Sequence, residues 1–293
     1  GWITPGQLGY DSQVKTVAID SLPDLAAFTV PAVLHAAENA RAMLILVPAM
    51  GTAAGVYKPF ANELTTRGFS VLSSELPGTG ASRPRPSWKA DYGYRDLVNE
   101  YLPAIVSYAR KYAEGAPVIV IGHSLGAQVA TLAVAGNKLM IDALVTVAAG
   151  HIHFRNWEGA GAAKVLFGAG LFSSLTYLFG YLPGQYFGFG GPQARTLIRE
   201  WAKVIFSGSF SHVAPYPNGA KSTPSLCIGY EKDDFAPENS VLGLAAILES
   251  EAEIMSADWP GNPHSSWIRN PAETVRLIDR WLLSKAIIHR MEN

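Results

Sequence analysis

The sequence predicts an α/β fold in which a mostly parallel β-sheet is covered by helices on both faces. Short, continuously apolar segments alternate with longer segments of helical periodicity along most of the 293 residues, and this alternation is typical of parallel sheets. The composition agrees with the prediction, because a chain with 48% hydrophobic and only 16% charged residues has enough apolar surface for a large buried core.

Eight segments are predicted to form strands. Two β-like segments between residues 14 and 33, separated by Leu22-Pro23-Asp24, predict an N-terminal hairpin. Further short segments, most of them continuously apolar, predict the remaining strands: residues 43–47, 69–72, 118–121, 141–147, 225–230 and 253–256. The purely β-branched segment 118–121 gives the strongest signal among them.

Helices are predicted from apolar spacing and from residues that begin or end helices. The predicted segments are residues 57–66, 96–113, 127–135 and a last helix that begins at Asn270-Pro271. Gly68 is placed to end the first of these as a C-cap, and Pro103 is expected to kink the second. Asn270 is expected to cap the last helix, with the proline in its first turn.

The sequence Ile-Gly-His-Ser-Leu-Gly at residues 121–126 contains the pattern G-x-S-x-G, with Ser124 at its centre. The pattern follows the strongest predicted strand and precedes a predicted helix, a context that favours a nucleophile site over an accidental turn. A strand that turns at once into a helix strains the residue at the turn. The backbones are crowded there, so the residues two positions before and two positions after it must be small. Ser124 is therefore the candidate nucleophile, and the adjacent His123 is expected to pack rather than to act as its base.

With this motif, the chain resembles the α/β-hydrolase superfamily over nearly its whole length outside one insertion. The resemblance implies an α/β-hydrolase fold and a catalytic triad in the chain order Ser, acid, His. The acid position, four residues before Pro237, corresponds to Asp233, with Asp234 as the nearest alternative. The base corresponds to His264, which lies in a turn-forming loop before the last helix. His264 would take the Ser124 proton, and Asp233 would orient the imidazole.

The resemblance also implies an oxyanion hole made by two backbone N–H groups. One belongs to Leu125, the residue after the nucleophile. The other follows an earlier strand, where this chain has Pro48-Ala49-Met50-Gly51 instead of the usual His-Gly, and the alignment puts the donor at Met50. The turn at residues 75–82, Glu-Leu-Pro-Gly-Thr-Gly-Ala-Ser, resembles a structural turn of the superfamily.

Three segments resemble a bacterial subgroup of α/β-hydrolases whose members are mostly uncharacterised. They are the Pro-Ala-Met-Gly loop, Tyr57-Lys58-Pro59-Phe60, and Gly-Tyr-Leu-Pro-Gly at residues 180–184. This closer resemblance sharpens the expected fold more than the expected substrate.

The alternation of strands and helices fails between residues 151 and 217, which are rich in glycine and aromatic residues. This segment is predicted to be an inserted cap, and residues 1–150 and 218–293 to form the hydrolase core. Most of its aromatic residues are expected to pack the cap onto the core, and some to line an apolar site for a small hydrophobic acyl substrate. The candidate pocket residues are Ala49, His123, His151, His153, Phe154, Trp157 and Phe235.

Residues 165–182 lack charges and approach the length of a membrane span. Glycines and serines interrupt them, and they lie inside the predicted catalytic domain, so a cap helix is favoured over a stable span. The N-terminus lacks the features of a signal peptide. The one cysteine, Cys227, allows no internal disulfide, and a cytoplasmic location is expected.

Composition and motifs argue against several other classes of protein. The net charge is about −1, and the scattered Lys and Arg residues argue against a nucleic-acid partner. His151-x-His153 has no evident third ligand for a metal, and no phosphate loop or dinucleotide fingerprint is present, so no cofactor is expected. A monomer and a homodimer remain equally open.

The leading interpretation is therefore a serine hydrolase that cleaves a carboxylic ester through an acyl-enzyme. The same triad would serve an amidase or acylase, a lactonase acting on acyl-homoserine-lactone-type signals, or an acyltransferase. A non-catalytic ligand-binding protein of the same fold is the alternative from another class.

Overall fold

The computed structural model describes residues 14–19, 27–216 and 222–291. The strands of this part of the chain are β1 (Val14–Ile19), β2 (Val30–His35), β3 (Met43–Val47), β4 (Ser70–Ser74), β5 (Val118–His123), β6 (Ala143–Val147), β7 (Tyr181–Leu182), β8 (Gln193–Ala194), β9 (Ser225–Tyr230) and β10 (Glu251–Met255). The helices are α1 (Lys58–Thr65), α2 (Tyr94–Asp96), α3 (Leu102–Ala113), α4 (Leu125–Ala135), α5 (Ala160–Phe179), α6 (Arg195–Ser207), α7 (Glu238–Leu248), α8 (Pro263–Ser266) and α9 (Ala272–Ser284).

Eight of the strands form one sheet in the order β1-β2-β4-β3-β5-β6-β9-β10. Strands β1 and β2 pair antiparallel, as do β2 and β4, whereas the other neighbours pair parallel. The predicted mostly parallel sheet and N-terminal hairpin are thus confirmed, although the Leu22-Pro23-Asp24 connection lies outside the described residues. Strands β3 and β5 lie at the centre of the sheet.

The central strands are apolar throughout because both of their faces are covered. In β5, Val118 and Val120 belong to the core on one face, which α3 and α4 cover. Ile119 and Ile121 belong to the core on the opposite face, together with residues of α1 and α9. Alternate residues of one continuous β-branched segment therefore supply both cores.

Two helix ends differ from the prediction. Helical conformation begins at Tyr94, two residues before the predicted start, and continues through a π-helical segment, Leu97–Tyr101, into α3, where Pro103 is the second residue. The last helix, α9, begins at Ala272 with Pro271 as its N-cap. Asn270 does not cap it, because its side-chain amide donates to Ser266 O at 3.0 Å.

The segment between β6 and β9 contains α5 and α6, which pack on each other, and the small antiparallel pair β7–β8. Helix α5 is, among the described residues, the one helix long and apolar enough to cross a membrane, and only 11% of its most apolar window is buried. It exposes Phe167, Tyr177 and Leu178. The helix thus forms an outer layer of the molecule.

Candidate active site

The turn between β5 and α4 holds Ser124 in a strained conformation. Its φ of 51° and ψ of −114° lie in a region that L-residues rarely adopt. A Cβ on Gly126 would lie 2.3 Å from Val47 O, and one on Gly122 would lie 2.5 Å from the Ala127 backbone. The glycines are required because the turn contacts the end of β3 directly, and α4 begins immediately after Ser124.

The loop after β9 encloses the carboxylate of Asp233. Its side chain has no exposed surface, and its Oδ1 accepts hydrogen bonds from the N–H groups of Phe235 at 2.9 Å and Ala236 at 3.0 Å. Its Oδ2 lies 3.0 Å from His264 Nδ1. The adjacent Asp234 is exposed.

His264 lies in the first turn of α8, where the Asn262 side chain accepts from its backbone N–H at 3.0 Å. Because Asp233 accepts at Nδ1, the neutral imidazole carries its proton there and leaves Nε2 as an acceptor. The ring is partly exposed, with 17% of the side chain accessible. An imidazole that is oriented by a carboxylate and partly exposed can act as a general base.

His123 connects the loop of His264 to the end of β5. Its Nε2 lies 2.7 Å from His264 O, and the two rings lie 5.2 Å apart, centroid to centroid. His123 is also the residue that precedes Ser124. The structure therefore brings Ser124, His264 and Asp233, predicted from three distant parts of the sequence, to one end of the sheet.

The loop after β3 lies beside the start of α4, since a Cβ on Gly126 would also meet Pro48 O at 2.7 Å. The Ala49 N–H donates to Tyr57 Oη at 2.9 Å. Met50 carries the next backbone N–H of this loop, and Leu125 carries the first N–H of α4. Both predicted oxyanion donors thus lie where the loop and the helix meet.

The cap contacts the same loop. Gly190 N–H donates to Gly51 O at 2.9 Å, and a Cβ on Gly51 would lie 2.9 Å from Phe189 Cβ. Phe189 belongs to a cap aromatic cluster, defined as Phe172, Phe187, Phe189 and Trp201, in which ring centroids lie 5.0–6.2 Å from Phe172. The cluster brings apolar surface to the candidate oxyanion loop.

The candidate pocket residues lie in different environments. Phe235 is exposed with its ring 5.3 Å from that of His264, and the Trp157 indole donates to Asp234 O at 2.7 Å. On the cap side, His151, His153 and Phe154 are half-buried in ring contact with one another or with Phe210. Ala49 is buried, and its N–H donates to Tyr57 Oη.

His123 was predicted to line the substrate pocket, but the structure buries it. The ring is buried, with Nδ1 2.7 Å from Tyr57 Oη and Nε2 facing His264 O. Burial, and secondarily the neighbouring His264, lower its pKa well below the usual value. His123 is thus a neutral, enclosed side chain, which agrees with the expectation that it packs.

Tyr57 is the residue of this site that sequence reasoning missed. It stood only in the predicted first helix and in a subgroup motif, and the structure buries its ring against Trp267. Burial raises the pKa of Tyr57 and keeps the hydroxyl protonated. Its contact to His123 joins segments 66 residues apart in sequence, which no local pattern could reveal. Among the described residues, no group of three His, Cys, Asp or Glu side chains is arranged to hold a metal ion.

Comparisons with known proteins agree with this fold. Residues 38–168 match the family model described as serine aminopeptidase, S33, whereas no curated protein sequence matches the chain. Similar solved structures include a highly thermostable carboxyl esterase from Bacillus coagulans in complex with glycerol (14% identity, 91% of this chain and 98% of that chain, TM-score 0.63). An esterase from Pyrococcus furiosus (18%, 97% and 95%, TM-score 0.58) and a Butyrivibrio proteoclasticus protein with bound ferulic acid (15%, 92% and 99%, TM-score 0.63) share the fold.

The strand order, the G-x-S-x-G turn between β5 and α4, and these likenesses define the fold of the protein. The chain has the α/β-hydrolase fold.

Proposed function

We propose that this chain is a serine hydrolase that cleaves carboxylic esters of hydrophobic acyl groups. Ser124 is the nucleophile, His264 the general base, and Asp233 the acid that orients it. The observation that carries the proposal is the 3.0 Å bond between His264 Nδ1 and the buried Asp233 Oδ2, on loops joined through His123 to the strained Ser124 turn. The names of the similar solved structures, two of them esterases, support ester cleavage.

In the first half-reaction, Ser124 Oγ bonds to the carbonyl carbon while its proton moves to His264 Nε2. The N–H groups of Met50 and Leu125 stabilise the negative charge that forms on the carbonyl oxygen. The bond to the leaving group then breaks, and the leaving alcohol takes the proton from His264. Water repeats these steps on the acyl-enzyme, releasing the carboxylic acid and restoring Ser124.

The hydrogen bonds of the oxyanion loop support Met50 as a donor. Tyr57 Oη already occupies the Ala49 N–H, so the next N–H along the loop is that of Met50. Leu125 lies at the N-terminus of α4, where the helix dipole adds partial positive charge. Both donors are backbone groups, so the replacement of the usual His-Gly by Pro48-Ala49 does not remove them.

The cap aromatic cluster supports a hydrophobic acyl group. Phe172 lies at its centre, in contact with Phe187, Phe189 and Trp201, and Phe189 adjoins Gly51 of the oxyanion loop. An acyl chain that extends from the carbonyl carbon towards the cap would meet apolar rings, and burial of each methylene contributes roughly 0.8 kcal/mol. Preference should therefore rise with chain length until the site is filled.

A second candidate function is amide hydrolysis, which the name of the matching family model, serine aminopeptidase, favours. The steps are the same, except that an amine leaves and takes the proton from His264. Matched p-nitrophenyl esters and p-nitroanilides with the same acyl group separate the two functions.

The decisive experiment is intact-mass analysis after treatment with a fluorophosphonate, beside Ser124→Ala. One covalent adduct, lost in the variant, is expected. Kinetics on p-nitrophenyl esters from acetate to laurate then test the substrate class. No adduct on folded protein would refute the serine-hydrolase proposal, and activity confined to the shortest esters would refute the hydrophobic acyl group.

A matched pair of variants on α5 tests the role of the cap. Phe172→Ala removes the centre of the cap aromatic cluster, whereas Phe167→Ala removes a ring of the same size that is 72% exposed. Phe172→Ala is expected to shift the chain-length optimum, and Phe167→Ala to leave it unchanged. The same dependence of activity on chain length in both variants would show that the cap aromatic cluster does not contact the substrate.

A further inference from the structure

We infer that Tyr57 and His123 are positioning residues, which hold the oxyanion loop and the loop of the general base at a fixed separation. The inference deepens the proposed function and rests on it. Four groups form one hydrogen-bonded chain across the site, from the Ala49 backbone through Tyr57 and His123 to the His264 backbone.

Three short contacts make up this chain. Ala49 N lies 2.9 Å from Tyr57 Oη, Tyr57 Oη lies 2.7 Å from His123 Nδ1, and His123 Nε2 lies 2.7 Å from His264 O. Its two ends lie in the loops that carry the oxyanion donor and the base. The chain therefore links the two loops that carry the proposed oxyanion donor and the proposed base.

The direction of every hydrogen bond in the chain follows from its ends. Ala49 N–H can only donate, so Tyr57 Oη accepts it, and Tyr57 Oη donates to His123 Nδ1 provided that the neutral ring carries its proton on Nε2. The His264 carbonyl oxygen can only accept, so His123 Nε2 carries the ring proton. Trp267 Nε1 lies 3.4 Å from the same nitrogen, too far to compete with the 2.7 Å bond.

The chain lies in a dry environment. Tyr57 and His123 are 3% and 4% exposed, and Trp267 packs edge-on against His123 with ring centroids 5.2 Å apart. Burial lowers the pKa of His123 and raises that of Tyr57, so both groups stay neutral. A neutral chain in a dry environment holds one proton arrangement over a wide pH range, which suits a fixed spacer rather than a proton carrier.

Loss of one link should change the rate of the chemical step more than substrate binding. Without Tyr57 Oη, the Ala49 N–H loses its acceptor and the oxyanion loop can shift relative to His264. A small misplacement of reacting groups costs up to about 100-fold in rate. The acyl group contacts the cap and not this chain, so KM should change little.

The test compares Tyr57→Phe, His123→Gln and the double variant in ester hydrolysis. His123→Gln keeps an N–H that can donate to His264 O but loses the second contact. Each single variant is expected to lower kcat about tenfold or more with KM within about twofold. The double variant should equal the worse single variant, because both substitutions break one chain.

Tyr101→Phe is the matched control. Tyr101 is an equally buried tyrosine whose hydroxyl bonds to Ser74 Oγ and Glu75 O, away from the loops of the chain. It should lower the melting temperature as Tyr57→Phe does, with kcat unchanged. Wild-type kcat in both Tyr57→Phe and His123→Gln would overturn the inference, as would losses that multiply in the double variant.

A spectroscopic measurement that needs no enzyme activity tests the hydrogen-bonded chain independently of the proposed function. ¹⁵N NMR of the histidines should show His123 neutral from pH 5 to 9, with its proton on Nε2. Tyr57→Phe should shift the Nδ1 resonance. A protonated His123, or a proton on Nδ1, would overturn the chain, whether or not a fluorophosphonate labels Ser124.

Discussion

Asp233 and Asp234 are neighbours in sequence, but their environments are opposite. The Asp233 side chain is fully enclosed and accepts from two backbone N–H groups and from His264 Nδ1. Asp234 is exposed and offers its backbone carbonyl to the Trp157 indole. A turn at Lys232, with φ 64°, directs the two side chains differently.

This difference predicts distinct effects of two isosteric substitutions. Asp233→Asn should lower kcat/KM about 10³–10⁴-fold, because an amide no longer stabilises the imidazolium and favours the wrong tautomer. Asp234→Asn should change it less than about threefold. Steady-state kinetics on one p-nitrophenyl ester measure both, and a larger loss in Asp234→Asn would reverse the assignment.

The crowded turn at Ser124 predicts that Gly126→Ala is damaging. Its Cβ would lie 2.3 Å from Val47 O, and forcing these backbones apart should cost roughly 1–3 kcal/mol of unfolding free energy and most of the activity. Gly168→Ala on α5 meets nothing within 4 Å and should add up to about 1 kcal/mol, since alanine favours helix. Urea unfolding of both variants tests this, and equal stabilities would contradict it.

The contact between cap and core predicts an effect on catalysis from Gly190→Ala. A Cβ there would lie 2.3 Å from Gly51 O, so the bond from Gly190 N–H should break and the oxyanion loop should loosen. We expect lower kcat and slower fluorophosphonate labelling. Gly170→Ala, which meets nothing within 4 Å, is the control, and equal labelling rates in the two variants would contradict the prediction.

Glu200 of α6 predicts a pH-dependent stability. Burial raises its pKa to about 6, although Tyr94 N–H donates to its carboxylate at 2.7 Å. An acid with a raised folded-state pKa contributes stability below its unfolded value of 4.5, and that stability is lost as the pH rises through about 6.

The free energy of unfolding of Glu200→Gln, relative to that of the wild type, should therefore rise between pH 4.5 and 7. The expected rise is roughly 1 kcal/mol after allowance for solvent screening. Unfolding free energies at the two pH values measure the difference. The exposed Glu158→Gln should show no such trend. A gain for Glu200→Gln that falls with rising pH would contradict the argument.

The features that the sequence predicted well are those with a local cause. The β-branched segment around Ile119 is apolar because both sheet faces are covered, and the G-x-S-x-G pattern reflects crowding within a few residues of Ser124. The bulk of the core elements follows from such periodicity, with ends shifted by a few residues.

What the sequence could not predict depends on contacts between distant segments. Tyr57 becomes part of the site only because β3 and β5 are neighbours, and the enclosure of His123 depends on Trp267 from near the other end of the chain. The last helix begins at Ala272 because the Asn270 side-chain amide donates to the backbone carbonyl of Ser266. The Asn-Pro pair in the sequence does not show which partner the asparagine side chain takes.

The cap leaves the sheet after β6 and returns at β9, and these two strands are parallel neighbours with Leu144 opposite Ser225. The segment therefore leaves at the carboxyl end of β6 and rejoins at the opposite edge of the sheet, where β9 begins. On its way it adds Leu197, Val204 and Phe210 to the buried core. A recombination event that exchanged the whole segment would keep every strand pairing of the large sheet and the turn that carries Ser124. Such an exchange would alter the apolar surroundings of the proposed substrate site, while Ser124, Asp233 and His264 would stay on the core.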